Sequence, residues 1–158
     1  IRAHEPNFDL PTVFAIPAHE LSAFQDQIPE LWQFCSKIEY LPLVSATVFF
    51  SEKTSSESGS NVRNPRIDGF GCHFPKDQGI RALGMLSNAS IFPERCWKGF
   101  SETWISGGAL DSAILQLNDS EIVESLLQDR KKIFPSTMPA MEPEHWEICR
   151  WQIGRAHV

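Results

Sequence analysis

Gly69-Phe70-Gly71-Cys72-His73-Phe74-Pro75, followed by Ala82-Leu83-Gly84, Ile91-Phe92-Pro93-Glu94-Arg95 and Ser101-Glu102-Thr103-Trp104-Ile105-Ser106-Gly107-Gly108, is the stretch that decides the fold. Its short apolar runs end at glycine or close on Phe-Pro, as strands separated by turns do. Phe70–Phe74, Ile80–Leu86 and Phe100–Ile105 therefore read as strands, parted by Lys76-Asp77-Gln78-Gly79 and by the Phe92–Arg95 loop. Three such strands in succession predict an antiparallel meander. A nucleotide-binding turn is excluded here, because Phe74 stands where the third glycine would be and no G-x-G-x-x-G occurs in the chain.

On the N-terminal side, Tyr40–Phe50 is rich in β-branched and aromatic residues and predicts one long strand. Before it, Leu21, Phe24, Ile28, Leu31, Trp32 and Cys35 recur at helical spacing interrupted by Pro29, so two short helices meet there. Thr12–Ile16, cut off by Pro17-Ala18, reads as a short buried strand. The polar run over 51–64 is too poor in apolar residues to bury anything and is expected to be a surface loop.

On the C-terminal side, Asn118-Asp119-Ser120-Glu121 has the form of a capping box. Ile122, Val123, Leu126, Leu127 and Ile133 then make one apolar stripe, predicting a helix over 119–134 that stops before Pro135. A proline-rich loop follows to Pro143, and His145–Trp151 reads as a last strand. Ile153-Gly154-Arg155-Ala156-His157-Val158 is what ATC GGA AGA GCA CAC GTC encodes, a string used as a sequencing adapter. Residues 153–158 are accordingly expected to be an adapter-derived artefact with no functional role.

Composition bounds the rest. A chain of 158 residues has the length of one domain, and its net charge of −6 with interspersed signs offers nothing to nucleic acid or an anionic membrane. The longest apolar stretch, Leu41–Phe50, falls far short of the roughly 20 residues that span a bilayer. Cys35, Cys72, Cys96 and Cys149 form no C-x-x-C pair and read as reduced thiols of a cytoplasmic protein. His4, His19 and His145 have no ligand-spaced partners, so no metal site is expected, and Asp119, Glu121 and Glu124 complement a helix N-terminus instead. Arg81 and Arg95 are expected to be solvated or paired with Asp77 and Glu94.

The order and spacing of the Gly69–Gly108 block resemble the substrate-domain half of protoporphyrinogen oxidase and its relatives in the FAD-dependent amine oxidase superfamily. The resemblance runs from about Val13 to Trp151 and implies an α+β fold, a mixed and mainly antiparallel sheet with flanking helices, truncated from a two-domain FAD oxidoreductase. It assigns residues 1–17 to the end of the FAD-binding domain and 18–151 to the substrate-binding domain, with the N-terminal FAD domain missing. In the family a tryptophan like Trp151 precedes an Ile-Pro-Gln-Tyr stretch, which is absent from this chain. FAD is implied as cofactor of the intact protein, without its main binding motif here. A reduced tetrapyrrole is the implied small-molecule substrate, in heme biosynthesis. The chain alone is expected to be inactive, and any peripheral membrane association would come from missing segments.

By the same resemblance Phe70, His73 and Ile105 face the substrate, and Phe70 could stack on a flat macrocycle. The plainer alternative makes Phe70 and Ile105 ordinary strand residues of the core and His73 a surface histidine at a strand end. His73 departs from the family, which places an aliphatic residue there. No catalytic residue and no metal ligand is assigned. A flavin enzyme needs little acid–base machinery, since the cofactor accepts the hydride. Two rivals stand beside this reading: an amine- or polyene-oxidising relative, and a free-standing, non-enzymatic α+β binding module.

Overall fold

The computed structural model describes residues 11–51, 69–95, 99–134 and 141–155. They belong to two compact units, residues 1–40 with 153–158, and residues 41–152. The expected loop after Ser51 and most of the proline-rich segment 135–143 lie outside the described residues.

In the first unit, Ala18–Phe24 winds as a 3-10 helix and helix α1 spans Pro29–Cys35. Pro29 occupies the first turn, where its missing N–H costs nothing, and this separates the two helices as the sequence predicts. The Phe14 and Phe24 rings meet at 5.8 Å, and His19 packs edge-on against Tyr40 with centroids 4.6 Å apart. The strand expected at Thr12–Ile16 does not form. An extended segment becomes a strand only through a neighbour's ladder; residues 12–16 are outside the five strands of the sheet, and Val13 is 91 % exposed.

The second unit carries the sheet. Its strands are β1 (Glu39–Ser51), β2 (Gly71–His73), β3 (Gly84–Ser87), β4 (Gly99–Gly107) and β5 (His145–Arg155), in the order β2-β3-β4-β1-β5. β2, β3 and β4 form the predicted antiparallel meander, and β1 pairs antiparallel with β4 from Leu43↔Gly107 to Ser51↔Gly99. Gly71 has φ +156°, and a Cβ there would run into the Met85 carbonyl, so only glycine lets β2 approach β3 this closely. Short helix α2 (Asn88–Ile91) and a 3-10 turn at Pro93–Arg95 occupy the expected loop after β3.

Helix α3 (Asp119–Ile133) begins at the predicted capping box: Asn118 Oδ1 accepts the Glu121 amide at 3.0 Å, and the Glu121 carboxylate accepts the Asn118 amide at 2.8 Å. Ile122, Val123 and Leu126 are buried, and Leu127 and Ile133 pack partly against the core. The sheet face toward α3 presents Val44, Ala46, Val48, Phe50, Met85, Phe100 and Trp104 to one cluster. Into this apolar layer the fold sets one ion pair. Glu102, 1 % exposed, accepts Arg130 Nε and Nη2 at 3.0 Å each and also the Trp104 indole N–H at 3.0 Å. The guanidinium carbon lies 4.7 Å from the Phe50 ring centroid and 4.4 Å from that of Phe134, so the charge is stacked as well as paired.

β3 starts at Gly84 and not at Ile80, and the reason is on α3. The buried Asp129 carboxylate captures the Arg81 and Ala82 amides at 2.8 and 2.9 Å, which removes them from any ladder. Arg81 itself turns to Asp111, with Nε and Nη2 contacts of 2.6 and 2.8 Å, correcting the expected pairing with Asp77. That hydrogen-bonded contact raises its pKa against the opposing effect of burial. Arg95 does approach Glu94, at 4.0 Å between exposed side chains, and lies over the Phe92 ring. Gly107-Gly108 turns the chain, at φ +112° and +83°.

Two outcomes follow from the core. Replacing Arg130 by Met strands the Glu102 carboxylate in an apolar layer and should cost about 3–5 kcal/mol in urea unfolding; the double variant Glu102→Met/Arg130→Met should recover much of that loss. Cys72, on the core face, has its thiol pKa raised by burial first and by the Glu102 carboxylate second. The unfolded chain therefore gives up this proton at lower pH than the folded one. Stability should fall as pH rises through the alkaline range above the ordinary thiol value, and Cys72→Ala should remove that component. Alkylation by iodoacetamide should be slower at Cys72 than at the exposed Cys149.

Candidate functional site

Along each strand successive side chains point to opposite faces, and residues paired across the antiparallel register point the same way. Cys72, Met85, Trp104 and Ala46 form one registered line on the face toward α3. The next line along, His73↔Gly84↔Ile105↔Ser45, consequently lies on the other face. His73 is exposed at the end of β2, and Ile105 is half-buried in the middle of the sheet. Gly84 between them contributes no side chain. Two interstrand spacings of about 4.8 Å place the His73 and Ile105 backbones roughly 10 Å apart across a gap with a bare backbone floor. Gly84 is also sterically required, since a Cβ there would lie 2.9 Å from the Cys72 carbonyl oxygen.

Of the three residues singled out by the sequence, His73 and Ile105 are brought into one line and Phe70 is not. Phe70 precedes β2 and is 71 % exposed, and its carbonyl accepts the Ser87 amide at 3.0 Å near the far end of β3.

Sequence reasoning missed the polar half of this face. Thr47 and Thr103, register partners, share a hydroxyl hydrogen bond of 2.9 Å. Asn88 of α2 donates its amide to Thr103 at 2.9 Å and to Ser101 at 3.2 Å. Trp151 of β5 donates its indole N–H to Ser45 at 3.0 Å. The signal was present in β1, where Ser45 and Thr47 alternate with Val44, Ala46 and Val48; a period of two separates a polar from an apolar face. Asn88 is thereby a brace of this face.

Elsewhere, a cavity of about 380 Å³ lies along α3, lined among others by Glu124, Leu127, Lys131, Glu142, Pro143 and Trp146. It mixes acid and base between α3 and the start of β5, and contains none of Phe70, His73 and Ile105. No three metal-binding side chains gather among the described residues, and none of the described helices is long and apolar enough to cross a membrane.

No protein-family model matches the chain. Among curated proteins, protoporphyrinogen oxidase 1, chloroplastic, of Arabidopsis thaliana is 26 % identical over 124 residues, covering 77 % of this chain and 22 % of that protein. The chloroplastic protoporphyrinogen oxidase of Nicotiana tabacum is 29 % identical over 100 residues, 62 % of this chain and 18 % of its own length. That of Oryza sativa subsp. japonica is 28 % identical over 96 residues, 60 % of this chain and 17 % of its own. The chain thus spans about a fifth of the length of these relatives. A solved structure from Exiguobacterium sp. 255-15, whose name assigns it provisionally as a protoporphyrinogen oxidase, superposes with a TM-score of 0.63 over 85 % of this chain and 27 % of that one, at 16 % identity, and shows the same fold. The sequence likeness, at modest identity and over part of the chain, is thus to the protoporphyrinogen oxidases that the Gly69–Gly108 block resembles, and the solved structure shows the shared α+β fold.

Proposed function

We propose that the chain is the substrate-domain portion of an FAD-dependent oxidoreductase that oxidises a reduced tetrapyrrole in heme biosynthesis, inactive by itself. The observation that carries this reading is the sequence likeness to three protoporphyrinogen oxidases, over 60–77 % of the chain. In this reading residues 1–17 close the FAD-binding domain and 18–151 belong to the substrate domain.

The chain's own part is to bind and orient. Ile105 offers an apolar contact beside the bare backbone of Gly84, a floor against which one pyrrole ring of the tetrapyrrole can lie without meeting a side chain. His73 stands on the other side of that floor and can donate an imidazole N–H to a carboxylate on the ring's edge. The α3 side of the sheet is closed by core packing, so the sheet shields one face of a bound ring from water. FAD, when held by the whole protein, supplies the hydride acceptor. The residues present do not seat its pyrophosphate, for which a glycine-rich strand-to-helix turn is needed, and no chemical step is assigned to them.

Restoring the flanking coding sequence from the same source tests the reading. The extended protein should purify with bound flavin and convert protoporphyrinogen IX to fluorescent protoporphyrin IX, while the 158-residue chain should do neither. A flavin-bearing extended protein that oxidises amines or polyenes instead would move the assignment to another branch of the superfamily, and stop codons flanking the present reading frame would withdraw the enzyme altogether. In the active extended protein, Ile105→Ala removes apolar contact worth about 1–2 kcal/mol. The expected result is a KM raised roughly tenfold with a smaller change in kcat; an unchanged KM would take Ile105 out of the site.

A further inference from the structure

The line on the second face does not stop at Ile105. Ser45 is the register partner of Ile105, and Trp151 on the adjoining strand is bonded to Ser45 through its indole N–H. His73, Gly84, Ile105, Ser45 and Trp151 therefore come one from each of the five strands, joined by register and, at the last step, by a hydrogen bond.

Two details of that last step matter. Trp151 is 52 % exposed although its only polar atom is engaged, so its ring surface is presented while its orientation is held. Ser45 uses its oxygen as an acceptor in this bond, and among the described residues its own hydroxyl proton has no acceptor. An indole held in place thus adjoins an unused hydrogen-bond donor, next to the apolar Ile105. Tryptophan supplies large flat contact area, and an oriented donor selects a ligand that carries an acceptor.

We propose that Trp151 and Ser45 form a second half of the ligand-binding surface. A flat pyrrole ring of the tetrapyrrole lies against the Trp151 indole and Ile105, and a carboxylate on its side chain accepts the Ser45 hydroxyl proton. This rests on the reading of the same face given above and extends it by two specificity-determining residues. A wholly hydrocarbon polyene would use Trp151 but leave Ser45 idle.

Titration of the 158-residue chain with protoporphyrin IX, and with etioporphyrin, which has the same ring but only alkyl substituents, separates the two roles. Trp151→Ala should weaken binding of both porphyrins about tenfold. Ser45→Ala should weaken protoporphyrin IX several-fold more than etioporphyrin, which loses only the orientation of Trp151 that the Ser45 oxygen supplies. Trp151→Phe keeps an aromatic surface without the N–H and should lie between the parent and Trp151→Ala; together with Ser45→Ala it carries the test if Trp151→Ala does not fold by circular dichroism. Porphyrin binding that responds to Ile105→Ala but to neither Trp151 nor Ser45 overturns this inference and leaves the proposed function standing. Failure of the parent chain to bind either porphyrin also overturns it, and the activity of the extended protein then decides whether the broader reading falls too.

Discussion

The bidentate contact between Glu102 and Arg130 is the constraint on which the rest of this domain depends. A carboxylate placed in the middle of β4 among Trp104, Phe100 and Val48 is tolerable only with a counter-charge in fixed geometry. That requirement sets both the rotation and the axial position of α3 on the sheet. Hydrophobic packing alone would accept neighbouring placements of Ile122 and Leu126, because apolar contact is not directional. Two stacked phenyl rings and the Trp104 indole complete the guanidinium–carboxylate unit.

Once α3 is set, it disciplines the loops that lead into the second face. Asp129 sits one residue before Arg130 and reaches the amides of Arg81 and Ala82. Arg81 in turn holds Asp111, just beyond the turn that ends β4. The entry to β3 and the exit from β4 are thereby fixed from one helix, and these are the strand ends nearest Gly84 and Ile105. The line through His73, Gly84 and Ile105 is built on strands whose ends are tied from the opposite side of the sheet. Rigid strands of this kind hold a binding geometry more closely than loops do.

Local patterns made much of this legible. The capping box at Asn118 marks the start of α3, Pro29 divides the two early helices, and the β-branched run before Ser51 is β1. What failed was information that lives between distant residues. Nothing near Glu102 announces a partner 28 residues later, and nothing near Ile80 shows that an aspartate 47 or 48 residues downstream will capture two amides and delay a strand. Thr12–Ile16 has strand composition but joins no ladder among the described residues, and composition cannot supply one. The candidate site was half legible for the same reason. His73 and Ile105 could be named singly, but their alignment across Gly84 depends on register. Ser45 and Trp151 meet only because the last strand returns beside the first.

The alternation of the two faces along β1 and β4 has a consequence for how such a domain can change. Glu102, Trp104 and their neighbours support the fold, while Ser101, Thr103 and Ile105, interleaved with them, shape the other surface. Point substitutions can therefore alter one set while sparing the other, so the surface can drift toward new ligands without repacking the interior. Insertion or loss of one residue has the opposite character. It exchanges the two sets, turning Glu102 and Trp104 outward and hydroxyls inward, so fold and surface are lost in a single step. This architecture is permissive to replacement and intolerant of changes in length.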